Sequence, residues 1–161
     1  MKKVQKGFSL IELLIVVAII LIIAAIAIPN LLRSKMAANE SSSVGSLRTF
    51  NTAAVTYSST YGIGYPAART DLQPCGAAGC TPTSTAADLI DSVLSAGTKS
   101  GYTFTYATPG TSGGVARSTY DIFADPVTAG STGQRHFYTD QSAVIRFNLA
   151  AKAGQADAPI Q

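Results

Sequence analysis

"KGFSLIELLIVVAIILIIAAIAIP", Lys6–Pro29, is the stretch on which the reading of this chain turns. Phe8 to Ile28 is a run of 21 residues in which Glu12 is the only charge. As a helix rising about 1.5 Å per residue, the run is roughly 31 Å long, which matches the ~30 Å hydrocarbon layer of a bilayer. An ionised carboxylate at the centre of a membrane helix costs roughly 3 kcal/mol on insertion scales. A chain that keeps Glu12 there has a use for it, and neither a secretory signal peptide nor a simple anchor supplies one.

The rest of the composition follows from this division. Of 161 residues, 47% are hydrophobic and 13% are charged, and much of the apolar content lies in the first 30 residues. The remainder, rich in Ser, Thr, Gly and Ala, suits a small, turn-rich domain outside the cytoplasm. The formal net charge of +3 belongs to the leader: Lys2, Lys3 and Lys6 precede the apolar run, and beyond Gly7 nine basic residues face nine acidic ones. No long-range positive field remains to steer nucleic acid, which is therefore not expected as a primary partner. The same lysines place the N-terminus in the cytoplasm by the positive-inside rule.

Beyond Pro29 the pattern stays helical. Leu47, Phe50, Ala54, Tyr57 and Tyr61 recur at steps of three and four, an amphipathic stripe that predicts one helix from about Phe8 to Tyr61, with a break at Pro29 as the alternative. "YGIGYP", 61–66, ends it. "TAADLIDSVLSAG", 85–97, reads as a short helix capped by Thr85, with Leu89, Val93 and Leu94 toward the core. After Gly101 the period becomes two. Four antiparallel strands are expected, at about 102–107, 119–124, 135–139 and 143–148, with a turn near Asp140–Ser142 and with Ile145, Phe147 and Leu149 on one face. The helix is the available cover for the apolar face of this sheet. The tail from Ala150 reads as frayed, and there is no internal repeat. The fold class is therefore α+β: a long N-terminal helix, half transmembrane and half amphipathic, packed on a four-stranded antiparallel sheet.

The stretch Lys6–Pro29 resembles, almost residue for residue, the N-terminus of type IV prepilins, and the order of elements is pilin-like throughout. The resemblance implies a leader peptide at 1–7, a transmembrane and filament-core helix at 8–29, and an extracytoplasmic globular domain at 30–161. It implies cleavage between Gly7 and Phe8 by a prepilin peptidase, followed by N-methylation of Phe8. Glu12 becomes the assembly carboxylate that meets the Phe8 ammonium of a neighbouring copy, and Pro29 the helix-bending proline. A buried charge is tolerated when paired and heavily penalised when alone, so such a pair selects register. The chain departs from the family at Leu21, where glycine is frequent, and leucine favours helix over glycine by about 1 kcal/mol.

Other motifs weigh less. Cys75 and Cys80 most simply form a disulfide, with free thiols or a metal pair as alternatives. A loop this short gives a stabilisation below the typical ~2–4 kcal/mol. His136 is remote from both cysteines and reads as a sheet residue. Asp121, Asp125 and Asp140 lack the spacing of a calcium loop, so no metal and no cofactor are expected. Phe8, Phe50, Tyr57, Tyr61 and Tyr65 read as core rather than as an electron-conducting chain. Asn39-Glu40-Ser41 is a weak glycosylation sequon, and Ser41–Ser43 a weak site for O-linked modification.

No nucleophile–base pair and no phosphate loop is present, so an enzyme is not expected. The function implied is a structural subunit of a type IV pilus. It would be held first in the bacterial inner membrane and later in an extracellular filament, with other copies of itself, the peptidase and the pilus assembly machinery as partners. A pseudopilin of a type II secretion system or a minor pilin is the alternative. A single-pass anchored binding module is a further one.

Overall fold

A computed structural model describes residues 8–76, 79–109 and 117–160. The chain divides into two units, Met1–Lys35 and Met36–Gln161. Helix α1, Leu10–Tyr61, contributes to both and includes Pro29.

In the first unit the described residues are helical from Leu10 onward, and the side chains have nothing of this unit to pack against. Exposure of the large apolar residues runs from 44% at Val17 to 82% at Phe8. Apolar surface faces outward on every side, the pattern of a helix surrounded by lipid or by other helices rather than by water. It is the one helix among the described residues long and apolar enough to cross a membrane.

The second unit holds a conventional core. Its part of α1 presents Leu47, Phe50, Ala54 and Tyr57, each essentially inaccessible, to a six-stranded antiparallel meander. The strands, in order across the sheet, are β1 Thr98–Lys99, β2 Tyr102–Ala107, β3 Asp121–Pro126, β4 His136–Asp140, β5 Arg146–Asn148 and β6 Ala158–Pro159. The alternation sequence reasoning saw in β2 is the burial pattern: Tyr102 and Phe104 point inward, while Thr103 and Thr105 are exposed. Register lines up Phe104, Ala124, Phe137 and Phe147 as one inward row across four strands. Phe50 meets Phe104 with ring centroids 5.8 Å apart. The glycine at 64 is required: its φ is +83°, and a Cβ there would lie 2.4 Å from the Arg117 backbone nitrogen.

Several expectations are corrected. Among the described residues the sheet has six strands, not four. The two extra strands, β1 and β6, are two residues each, too short to show alternation. The expected strand at 143–148 is shortened to Arg146–Asn148, because Ala143 turns left-handed at φ 60° to accept the turn that Asp140 holds. The helix expected over 85–97 is only α2, Ser92–Ala96, and its N-cap is Asp91 rather than Thr85. Residues 86–90 are irregular instead, because the amides of Ala87, Leu89 and Ile90 donate to carbonyls of Asp71 and Leu72. Asp88, at φ 55°, is also outside helical geometry. That pairing is long-range and invisible to local propensity. As a result Val93 is exposed, and Ile90 joins Leu94 in the core. Leu149 is likewise exposed at 60%, while Ile145 and Phe147 pack against the core.

The tail is not frayed. Arg146 Nη1 donates to the Asp157 carbonyl, and Asn148 Nδ2 donates to Asp157 Oδ1, both at 2.9 Å. Asn148 Oδ1 in turn accepts from the amides of Ala150 and Ala151. Ala153 is buried and Ile160 packs on the core. One asparagine and one aspartate therefore order a segment whose composition looks featureless.

Candidate functional site

The N-terminal segment is built around the first turn of α1. Ser9 stands immediately before the helix and Glu12 is its third residue. The Ser9 amide donates to Glu12 Oε2 at 2.9 Å. This is one arm of a capping box: the acid reaches back to satisfy a donor that the helix start leaves open. A negative side chain there also suits the positive end of the helix dipole. Within a single chain, then, Glu12 has a local partner. The signal for it, "SLIE", was present in the sequence but was absorbed into the apolar run. Phe8 is exposed, and Gly7 lies outside the described residues. The helix is continuous through Leu21 and Pro29.

Cys75 and Cys80 are disulfide-bonded, with Cα atoms 6.1 Å apart. They close a small loop between the 3-10 turn Arg69–Leu72 and the irregular residues 86–90.

The polar residues of the sheet fall into separate groups. Asp125 is held by His136, whose Nδ1 lies 2.7 Å from its Oδ1, and by Lys152 Nζ at 3.8 Å. Lys152 also lies over the Phe123 ring, which ties the tail to the outer sheet face. Asp121 and Asp140 are directly opposed across β3 and β4. Between them the Tyr138 hydroxyl donates to Asp121 at 2.7 Å, with Asp140 at 3.4 Å. Burial, reinforced by the Asp121 hydrogen bond, pushes the Tyr138 hydroxyl well above the usual phenol range. The three aspartates therefore do not converge, and no group of three metal-ligating residues gathers among the described residues.

Asn39, the sequon asparagine, donates its side-chain amide to the Thr132 carbonyl at 2.7 Å and is half-buried. It is a structural bond between helix and loop. Glu40 beside it accepts from the Gln134 and Arg135 amides. Sequence reasoning also missed Asn51, which is buried on the helix's sheet-facing side. It accepts from the Tyr120 hydroxyl at 3.1 Å and donates to Thr139 Oγ1 at 3.0 Å.

Comparison with known proteins locates the similarity at the N-terminus. Residues 2–28 match the family model for the prokaryotic N-terminal methylation motif. Over 35 residues the chain is 66% identical to the type IV wide pilus major component PilA4 of Thermus thermophilus, covering 22% of this chain and 27% of that protein. Over 52 residues it is 54% identical to the type IV major fimbrial protein FimA of Dichelobacter nodosus, covering 30% of this chain and 33% of the relative. The match thus spans a third or less of the length of these curated relatives. No solved structure matches. The similarity is thus confined to the N-terminal segment, where a methylation motif leads into an apolar helix similar to those of two major pilus proteins.

Proposed function

We propose that this chain is a structural subunit of a type IV pilus. The observation that carries the reading is the apolar segment from Phe8 to Leu32, helical from Leu10, exposed on all sides in the single chain and headed by a methylation motif. Such a surface is stable only in lipid or against other helices. The reading divides the chain into a leader at 1–7, a membrane and filament-core helix at 8–29 and an external domain at 30–161. The precursor sits in the inner membrane with its N-terminus in the cytoplasm. A prepilin peptidase cuts between Gly7 and Phe8, Phe8 is methylated, and the pilus machinery moves the mature chain into a homopolymer outside the cell. Pro29 sets the local course of the helix. No catalytic role enters this reading.

Glu12 then has two successive partners. In the free subunit it caps its own helix through the Ser9 amide. In the filament it meets the Phe8 ammonium of a neighbour, where charge pairing in a packed, dry core outweighs a solvent-exposed cap. Expression of Glu12→Ala in the assembly-competent host, with electron microscopy of sheared filaments, tests this. Loss of filaments, with an unchanged thermal melt of the purified chain, is the expected outcome. Normal filaments would overturn the role of Glu12. Absence of filaments built from the unaltered chain would overturn the subunit reading itself.

A further inference from the structure

The 3-10 turn Arg69–Leu72, the end of α2 and the outer side of β2 enclose a surface hollow of about 420 Å³. Arg69 is fixed at its floor. Its Nε donates to the Ser95 carbonyl at 2.9 Å and its Nη1 to the Phe104 carbonyl at 2.6 Å. Its guanidinium lies over Gly97, where any Cβ would come within 2.5 Å of it. The charge is half-buried, and no carboxylate among the described residues lies within ion-pair distance of it. The acid nearest in sequence, Asp71, is engaged by the Ala67 and Ala68 amides, and Asp91 by Lys99. A guanidinium has five donors in a rigid fork, so three are left over.

The walls are as unusual as the floor. Thr70, Thr98, Thr103 and Thr105 line the hollow. None of their hydroxyls is hydrogen-bonded to another described residue. The hydroxyls of Thr49 and Thr52 on α1 differ, being turned back onto carbonyls of their own helix. The apolar lining is limited to small side chains such as Ala67, Ala68 and Ala96, since the Phe104 ring is on the opposite face of β2, in the core. Only the half-buried Tyr106 ring adds an aromatic edge.

We propose that this hollow binds a carboxylated saccharide. The free edge of Arg69 takes the carboxylate as a fork, and the threonine hydroxyls, each donor and acceptor, take ring hydroxyls. A peptide would want an apolar pocket. Nucleic acid would want a strong positive field, which the domain, with nine basic residues against eight acidic ones, does not have. The inference rests on the pilus reading only in placing the domain outside the cell, where such polymers occur.

The test is titration of the full-length chain in detergent with tri-galacturonate, followed by NMR or thermophoresis, with neutral galactotriose and a single-stranded oligonucleotide as separate arms. Saturable binding of tri-galacturonate alone is expected. Thr103→Val and Thr105→Val are near-isosteric and exposed, and each is expected to weaken binding about tenfold with an unchanged melt, the scale of one lost hydrogen bond to a charged or polyol ligand. Arg69→Lys keeps the charge but loses the fork and is expected to weaken it at least as much. Equal binding of the neutral sugar, binding of the oligonucleotide instead, no binding at all, or no change in either threonine variant would overturn the proposal. Because binding is read on unassembled chain, its failure leaves the pilus reading untouched, and failure of assembly leaves a positive titration standing.

Discussion

The two stretches of α1 obey opposite rules. From Leu10 to Leu32 the large side chains are exposed whichever way they point. From Ser43 to Tyr57 burial is confined to one stripe: Ser43, Ser46, Leu47, Phe50, Asn51, Ala53, Ala54 and Tyr57. The second stretch is held by its own domain, and its sequence shows the 3.6-residue period that a single partner surface imposes. The first shows no period, the pattern of a helix surrounded by lipid or by other helices. Helix formation alone does not distinguish them, and what each stretch buries does.

The largest expected effect separates them directly. Phe50→Ala removes a ring from the centre of the core, against Phe104, and should destabilise the domain by about 3–5 kcal/mol. Ile19→Ala, equally apolar in sequence but 51% exposed, should leave the same thermal melt in detergent unchanged. If both variants melted alike, the contrast between the two stretches would fail.

A second effect reads the core through its tyrosines. Burial, first of all, holds the hydroxyls of Tyr102, Tyr106, Tyr120 and Tyr138 well above the usual phenol range. Their folded-state pKa values lie above the unfolded value, so their contribution is complete below about pH 10 and is lost as pH rises beyond it. The melting temperature should fall from about pH 10 upward, with the tyrosinate absorbance rising at the unfolding step rather than before it. Tyrosinate appearing in the folded state near pH 10 would contradict this burial.

The smallest effect concerns α2. The Asp91 carboxyl is held below the usual carboxylate range by its hydrogen bond from Lys99 and then by that from the Leu94 amide. Since the folded pKa lies below the unfolded one, this contribution is present in full above about pH 4 and fades as pH falls through the lower, folded value. Asp91→Ala should cost about 1 kcal/mol at neutral pH, and the gap from the unaltered chain should close in acid. A gap that stayed constant with pH would assign the cap to something other than the carboxylate.

What could be read from the sequence follows the same division. The apolar run is a local composition, the stripe 47–50–54–57 and the alternation in β2 are local periodicities, and each holds in the fold. The misses are long-range. Ala86–Ile90 is kept from helix by Asp71 and Leu72, and the tail is ordered by Asn148 and Asp157. Asn51 is buried because Tyr120 and Thr139, both more than 60 residues away, satisfy it. At the N-terminus the reverse holds: Glu12 stood out at once as a misplaced charge, while its cap to Ser9 needed coordinates to be seen.

The sheet ends on both sides in strands of two residues, and β6 carries Pro159, which has no amide hydrogen to offer. Edges this short give an extra strand almost nothing to zip onto. In the filament proposed above, edges of this kind would disfavour backbone-to-backbone fusion between neighbouring domains.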